Sequence, residues 1–328
     1  MALTCPYPNC FPHDFGCQAG SQTIGECPHY QESREGSLVS EQPEATAAEL
    51  SGRRVNWTGS ALGLGDLEPL AARSRLMLIG LAGVANAGKT TFLALLYSLL
   101  RQGQSIPGYQ FAGSDTLPGW ELLAGFLTFE DGSNQVTFPP HTTRNAGRVP
   151  GLLHLALRDA DGHLLDVLFT DAPGEWFNEW RSNQAAEGAE GAVWMYEQGD
   201  GFLLFGDCEE LIGPDRGTAR TQLQMVADRL LDQLGTRPLG LVWAKSDFGE
   251  LRPAIRDSIQ QRIHAGVPRY FQEFTVSVER SEPHWHAQVL EAVAWVLNTL
   301  KHEPGEPLPP LARPDTDDLF FLRRSLLA

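Results

Sequence analysis

The chain has 328 residues, of which 25 are basic and 41 acidic, so its formal net charge is −16. A charge this negative repels nucleic-acid backbones and anionic membrane surfaces, which argues against partners bound through bulk electrostatics. The hydrophobic share of 42 % is typical of a globular protein, and the length predicts about two domains. The sequence has neither a membrane-length apolar run nor a secretory signal, so we expect a cytoplasmic protein.

Residues 1–30 hold four of the five cysteines, the fifth being Cys208. In a cytoplasmic chain, clustered cysteines are more often metal ligands than disulfides, and a C-x4-C pair falls in the range of zinc ligand spacings. The predicted zinc ligands are Cys5, Cys10, Cys17 and Cys27, with His13 and His29 as substitutes. The alternative is a tail with free thiols. We interpret Cys208 as a small buried hydrophobic residue.

Residues 31–74 are rich in Glu, Ser, Ala and Gly without an amphipathic period, and are predicted to be a linker. Residues 75–301 alternate short apolar runs with helix-period stretches, which predicts βα units and a mostly parallel sheet. The predicted strands span 76–81, 152–158, 164–170, 201–205, 239–244 and 274–278, and the predicted helices span 90–100, 120–127, 218–234, 253–264 and 285–300. Residues 302–328 are predicted to be a Pro-rich extended tail that ends in a short docking helix or a frayed terminus.

A phosphate-binding motif follows the first predicted strand. Residues 83–90 match G-x-x-x-x-G-K-[ST] at every fixed position, between a buried strand and a helix as the motif requires. The glycines let backbone N–H groups point into one concavity, and the helix N-terminus favours negative charge. Lys89 is expected to reach the β- and γ-phosphates, and the Thr90 hydroxyl to coordinate Mg²⁺. The alternative is a chance Gly-rich turn.

Two further motifs indicate which nucleotide is bound. Asp171-Ala172-Pro173-Gly174 follows a strand end, where the acid can hold Mg²⁺ through water and Gly174 can bring a backbone N–H to the γ-phosphate. Asp247 ends another strand within Ala244-Lys245-Ser246-Asp247, where a carboxylate can accept hydrogen bonds from guanine N1–H and its 2-amino group. Adenine lacks this donor pair. The Lys245 stem can lie over the purine ring.

The order and spacing of these motifs over residues 75–301 resemble the Ras-like GTPases of the translation-factor-related class. In that class the second and third strands form a hairpin before D-x-x-G, and here the turn sequence Asp159-Ala160-Asp161-Gly162 predicts a hairpin of strands 152–158 and 164–170. The resemblance implies an α/β fold of the P-loop NTPase type, a three-layer sandwich with a mostly parallel sheet and one antiparallel strand. The nucleotide-binding residues that it implies are Gly83, Asn86, Ala87, Gly88, Lys89, Thr90, Thr91, Gly174, Lys245, Asp247 and Ser277. The implied ligands are GTP or GDP, and Mg²⁺ held by Thr90 and Asp171.

The resemblance also implies catalytic residues, with departures from the family's pattern. Lys89 and either Thr142 or Thr143, the candidate switch threonines, would sense or stabilise the γ-phosphate. Glu175 stands where many of these enzymes orient water with Gln or His, which predicts slow intrinsic hydrolysis. Ala244 replaces the usual Asn or Thr, which predicts weaker nucleotide binding. Asn86 matches a potassium ligand of some relatives, although a turn role suits asparagine as well. Arg144 and Arg148 are candidate arginine fingers or solvated loop charges.

The Cys-rich start joined to Asp-Ala-Pro-Gly-Glu resembles the double-GTPase proteins of bacterial conflict and defence gene clusters. This resemblance implies partner proteins, including a second GTPase. We therefore predict a GTP-binding switch with slow hydrolysis that regulates partners. Its alternatives are a nucleotide-binding scaffold without turnover, a P-loop ATPase or kinase, and a zinc-ribbon nucleic-acid binder, which the acidic N-terminal region disfavours. The aromatic run from Trp176 to Trp180 with Trp194 is interpreted as internal packing or as a partner-facing patch.

Overall fold

The structure is a computed structural model, and it describes residues 61–127, 151–182, 189–279 and 283–302. A seven-stranded sheet forms its centre, in the order β2-β3-β4-β1-β5-β6-β7. The strands are β1 Arg75–Ala82, β2 Tyr109–Gly113, β3 Gly151–Asp159, β4 Leu164–Asp171, β5 Gly201–Asp207, β6 Leu239–Ala244 and β7 Phe271–Thr275. Strand β3 is antiparallel to both of its neighbours, and the other described pairings are parallel. The predicted fold, with one antiparallel strand, is confirmed.

Helices cover both faces of this sheet. They are α1 Leu67–Arg73, α2 Lys89–Arg101, α3 Leu117–Phe126, α4 Gly174–Ser182, α5 Glu190–Gln198, α6 Cys208–Ile212, α7 Arg216–Leu231, α8 Pro253–Ala265 and α9 Pro283–His302. Alternate residues of β1 point to opposite faces, so Ile79 packs with α2, α3 and α9, whereas Ala82 packs with α4, α5, α7 and α8. The result is the three-layer sandwich that the sequence predicts.

The end of the predicted linker is folded onto the sheet. The backbone of Leu62 pairs with that of Leu152 on β3, through N···O distances of 2.9 and 3.2 Å. A 3₁₀ turn and α1 follow, and Leu70 of α1 is buried. The linker prediction is therefore wrong for residues 61–74, because a single buried leucine gives α1 no apolar period to recognise.

A buried polar network fastens α1 to the hairpin of β3 and β4. Arg73 donates from Nε and Nη2 to the two carboxylate oxygens of Asp166, at 2.9 and 2.7 Å. His154 Nε2 lies 2.8 Å from Asp166 Oδ1, while His154 Nδ1 accepts from the Asp115 backbone N–H at 2.9 Å. Nδ1 therefore carries no proton and Nε2 donates to Asp166. The Asp166 carboxylate is fully buried, and its hydrogen bonds with Arg73 and His154 compensate for the loss of contact with water.

Other differences from the predicted elements are small. Strand β2 lies in a stretch predicted to be irregular, and β7 begins and ends three residues before its predicted bounds. Helices α4 and α5 form where no helix was predicted. The zinc-binding module, the first part of the linker and the C-terminal tail lie outside the described residues.

Candidate functional site

The candidate site lies at the carboxyl edge of the parallel strands, where the loops after β1, β4, β5, β6 and β7 meet. Strand β1 lies between β4 and β5. The connection that follows β1 leads to the β2-β3-β4 side of the sheet, and the connection that follows β4 crosses to β5 on the other side of β1. Such a switch point is the usual position of a ligand crevice in an open α/β sheet. The fold thus brings the three predicted motifs to one edge.

The P-loop between β1 and α2 has the backbone that phosphate binding requires. Gly83, Asn86 and Gly88 have φ angles of +156°, +63° and +89°. A Cβ on Gly83 would lie 3.1 Å from Phe205 Cβ, and one on Gly88 would lie 3.2 Å from Ala244 Cβ. Both glycines are therefore needed for close packing as well as for their backbone angles. Asparagine tolerates a positive φ, so this backbone suits a turn role for Asn86.

Lys89 is held over the P-loop itself. Its Nζ donates to the carbonyl oxygens of Gly83, at 2.8 Å, and Val84, at 3.0 Å, and the residue is only 6 % exposed. The ammonium also lies 5.3 Å from the centre of the Phe177 ring on α4, within the range of a cation–π interaction. Thr90 and Thr91 follow in the first turn of α2, whose N-terminus faces the loop and favours an anion.

The second motif contacts the first directly. Asp171 ends β4, and Gly174 begins α4. A Cβ on Gly174 would lie 2.2 Å from both the Cα and the N of Ala85, so only glycine fits against the P-loop backbone here. Glu175 is the next residue and is half-buried. Any displacement of the P-loop at Ala85 therefore meets the first turn of α4.

Lys245, in the third motif, is fixed by two carboxylates. It adopts a left-handed φ of +57°, and its Nζ donates to Asp207 at 2.8 Å and to Glu209 at 2.9 Å. Burial favours the neutral amine, but the hydrogen bonds and charges of the two carboxylates outweigh it and raise the pKa of Lys245. The lysine is therefore charged and positioned at the end of β5.

Asp247 lies in the 3₁₀ turn Ser246–Phe248 and is exposed to solvent. Ser277, which is 4 % exposed, donates from its hydroxyl to Asp247 Oδ1, and its oxygen accepts from the Glu279 backbone N–H at 2.9 Å. The backbone N–H of Ser246 in turn donates to the carbonyl of Val276 at 3.2 Å. The loop after β7 thus orients the carboxylate predicted to select the base.

The structure brings together most of the predicted site residues. Those that meet at this edge are Gly83, Asn86, Ala87, Gly88, Lys89, Thr90, Thr91, Gly174, Glu175, Lys245, Asp247 and Ser277, with the backbone of Asp171. Thr142, Thr143, Arg144, Arg148 and the four N-terminal cysteines lie outside the described residues. Burial raises the pKa of the Cys208 thiol to about 12, in keeping with a buried, unreactive side chain.

The aromatic residues of α4 belong to the interior. Trp176, Phe177 and Trp180 are at most 5 % exposed, which supports the packing interpretation of this run. A Cβ on Gly191 of α5 would lie 2.1 Å from Trp176 Cζ3, so the indole lies directly on this glycine. Helices α4 and α5 are therefore closely packed at this point.

Sequence reasoning missed three participants at this edge. Asp207 and Glu209 bind Lys245, and Phe177 contacts Lys89. The signal for Asp207 was present, because an acid directly follows the apolar run of β5 at the carboxyl edge. Phe177 gave no such signal, since aromatic residues in a helix usually indicate packing.

Comparison with known proteins identifies the class. The model of the Double-GTPase 2 family matches residues 77–297, which covers the sheet except for the first two residues of β1, together with the P-loop, the Asp171–Gly174 motif and the Lys245–Asp247 motif. The chain belongs to this double-GTPase family. Membership of a GTPase family implies that GTP is the nucleotide bound, with Mg²⁺ as its usual companion.

No curated protein matches the chain. Among the described residues, no helix has both the length and the apolar character needed to cross a membrane.

Proposed function

We propose that the protein is a GTP-dependent switch that hydrolyses GTP slowly and regulates partner proteins. The observation that carries this proposal is the convergence of the P-loop, Gly174 and the Asp247–Ser277 pair at one edge of the sheet. In this proposal the P-loop holds the phosphates, Gly174 contacts the γ-phosphate as part of the switch, and the Asp247–Ser277 pair holds the guanine base.

The residues fit both GTP and magnesium. The positive φ angles of Gly83 and Gly88 and the N-terminus of α2 suit a phosphate chain. Thr90 begins α2 directly after the P-loop, and Asp171 ends β4, the strand beside β1, so hydroxyl and carboxylate oxygens would serve as ligands. Bound magnesium would neutralise charge on the phosphates.

Within this proposal, Lys89 exchanges its bonds to the Gly83 and Val84 carbonyls for the β- and γ-phosphates. It then stabilises the negative charge that develops on the transferred phosphoryl group. Glu175 orients the attacking water from the first turn of α4. A carboxylate near the γ-phosphate is repelled by it, so intrinsic hydrolysis is slow.

Switching follows from the same contacts. Loss of the γ-phosphate would release Gly174 and the start of α4, together with the predicted switch loop that holds Thr142 and Thr143. These segments would present a changed surface to partner proteins, among them a second GTPase. Zinc at Cys5, Cys10, Cys17 and Cys27 remains a prediction of the sequence, as does a cytoplasmic location. Potassium at Asn86 remains the alternative to a turn role for this residue.

Nucleotide binding by the full chain with Mg²⁺ tests the proposal. GTP and ATP are compared by isothermal titration for the wild type, Asp247→Asn and Glu250→Gln. Asp247→Asn removes an acceptor of two guanine donors and should weaken GTP binding by about 10- to 100-fold, with ATP unchanged. Glu250→Gln removes an exposed carboxylate from the same loop and should change neither affinity.

Turnover is measured on the same samples as phosphate release. Slow release by the wild type that falls further in Lys89→Ala supports a switch. Tight GTP binding with no release, even with partner proteins added, would replace the switch by a scaffold without turnover. Equal affinity for GTP and ATP, unchanged in Asp247→Asn, would show that the base site is misassigned.

A further inference from the structure

A groove with no part in the proposed GTP site runs along the outer side of α9. It is shallow and open to solvent, with a volume of about 510 Å³. The residues that line it are Glu291, Ala294, Trp295, Asn298 and Thr299 on one face of α9, together with Pro107, Tyr270 and Gln272. Ala294 is buried at its base, and the half-buried Trp295 and Tyr270 line it, with the Arg269 guanidinium 5.2 Å from the centre of the Tyr270 ring. A cavity of this size and lining suits a few apolar side chains.

The groove adjoins the edge of the sheet. Gln272 belongs to β7, and among the described strands β7 pairs with β6 alone. Sheet edges with unpaired backbone groups attract other chains, and proteins normally cover them with a helix or a loop. We therefore expect a further segment of polypeptide to cover the groove and the β7 edge beside it.

The chain's own C-terminal residues supply that occupant. Helix α9 ends at His302, three residues after Thr299, so the chain leaves the helix at one end of the groove. Residues 303–328 then follow, with Pro304 and Gly305 suited to a reversal of direction. We propose that Leu319-Phe320-Phe321-Leu322 of the same chain binds in this groove.

The connecting length permits this binding. Sixteen residues, 303–318, join α9 to the apolar run, and as a Pro-rich extended chain they span up to about 50 Å. The return path from His302 to Glu291 covers eleven helical residues, or about 17 Å. The segment therefore reaches the whole groove without strain.

Charge favours the same pairing. The apolar run is preceded by Asp315, Asp317 and Asp318 and followed by Arg323 and Arg324, so its two ends carry opposite charges. Glu291 is exposed at the rim of the groove and offers a carboxylate to these arginines. Apolar side chains in the groove and arginines at its rim give the segment one preferred orientation.

Photo-crosslinking in the full-length chain tests this proposal. Phe320 is replaced by p-benzoylphenylalanine, the protein is irradiated, and crosslinked peptides are identified by mass spectrometry. We expect crosslinks within one molecule to the peptides that contain Gln272 or Trp295. The same photoreactive residue at Leu64, an exposed position beside α1 and away from α9, controls for unspecific labelling and should not reach these peptides.

Exchanging the charges of Glu291 and the two arginines tests whether they face each other, with the crosslink yield as the measurement. Glu291→Arg changes an exposed residue, so the fold is retained, and it should remove most of the crosslink yield. Adding Arg323→Glu and Arg324→Glu should restore the yield, and GTP binding should stay unchanged throughout. Crosslinks outside the groove, or none, would overturn the proposal. Crosslinks between molecules that increase with protein concentration would also overturn it, because the occupant would be a second copy.

Discussion

Replacing Gly174 by alanine tests the contact between the P-loop and α4. The new methyl carbon would lie 2.2 Å from two backbone atoms of Ala85, about 1.2 Å short of the 3.4 Å at which ordinary contact begins. Backbone atoms have no alternative rotamer, so either the P-loop or the first turn of α4 must move by about this distance. Forcing an extra methyl group into a closely packed site costs about 1–3 kcal/mol.

Gly217→Ala is the matched control for this substitution. Gly217 also lies in the first turns of a helix, α7, but no atom lies within 4 Å of a Cβ built there. Alanine has the higher helix propensity, so this variant should gain up to about 1 kcal/mol of stability. The two variants share the chemical change and differ only in the space available.

Urea unfolding followed by tryptophan fluorescence measures the stability difference, and isothermal titration measures GTP binding. We expect Gly174→Ala to lose stability and to bind GTP at least about tenfold more weakly, since positioning of the phosphate groups depends on the displaced loop. If Gly174→Ala matches Gly217→Ala in both measurements, the contact does not hold the P-loop. The proposed switch would then lack the contact through which the P-loop and α4 affect each other.

Three other predictions concern the hairpin, the α4–α5 contact and the P-loop turn. Burial disfavours the charged form of Asp166, but its hydrogen bonds, chiefly from Arg73, hold the pKa below the ordinary value, so the stability it contributes is present above about pH 4 and is lost below it. Asp166→Asn should cost about 3 kcal/mol at pH 7 in urea unfolding and flatten this acid limb; an unchanged limb would assign it to other carboxylates. Gly191→Ala should lower stability by about 1–3 kcal/mol, because Trp176 occupies the space of the new methyl group, and a neutral result would show that the indole shifts freely. The wild type and Asn86→Gly should each hydrolyse GTP equally fast in potassium and sodium buffers, because the positive φ of Asn86 suits a turn residue; a stimulation of the wild type by potassium that disappears in the variant would instead make Asn86 an ion ligand.

Sequence reasoning located elements whose side chains are buried on both faces. Strands β1, β5 and β6 are continuous apolar runs, and β6 has the predicted bounds, Leu239–Ala244. Strand β2 was not predicted because it is a five-residue edge strand whose residues 110–112 are exposed, so it shows no apolar run. Helix α1 escaped because its anchor, Arg73, binds a carboxylate 93 residues away. Contacts between distant residues leave no periodic signal.

The candidate site divides in the same way. The P-loop and the position of Asp247 could be predicted because glycine spacing and strand-end acids are local features. Ser277 could be assigned to the site only through resemblance. Its hydrogen bond to Asp247 and the ion pairs of Lys245 could not be predicted, since they depend on how the sheet places neighbouring strand ends side by side. Resemblance to known GTPases thus supplied what local pattern lacks.

The hydrogen bonds that join α1 to the β3–β4 hairpin limit how far this chain can be shortened from its N-terminal side. A fragment that begins at Arg75, where the apolar pattern starts, would keep the buried Asp166 but lose Arg73 and Ser74, which donate to it. It would also remove the backbone pairing of Leu62 with Leu152 on β3. We therefore expect an independently folding fragment to need residues 62–74, and studies of nucleotide exchange on a fragment that begins at Arg75 would measure a damaged hairpin.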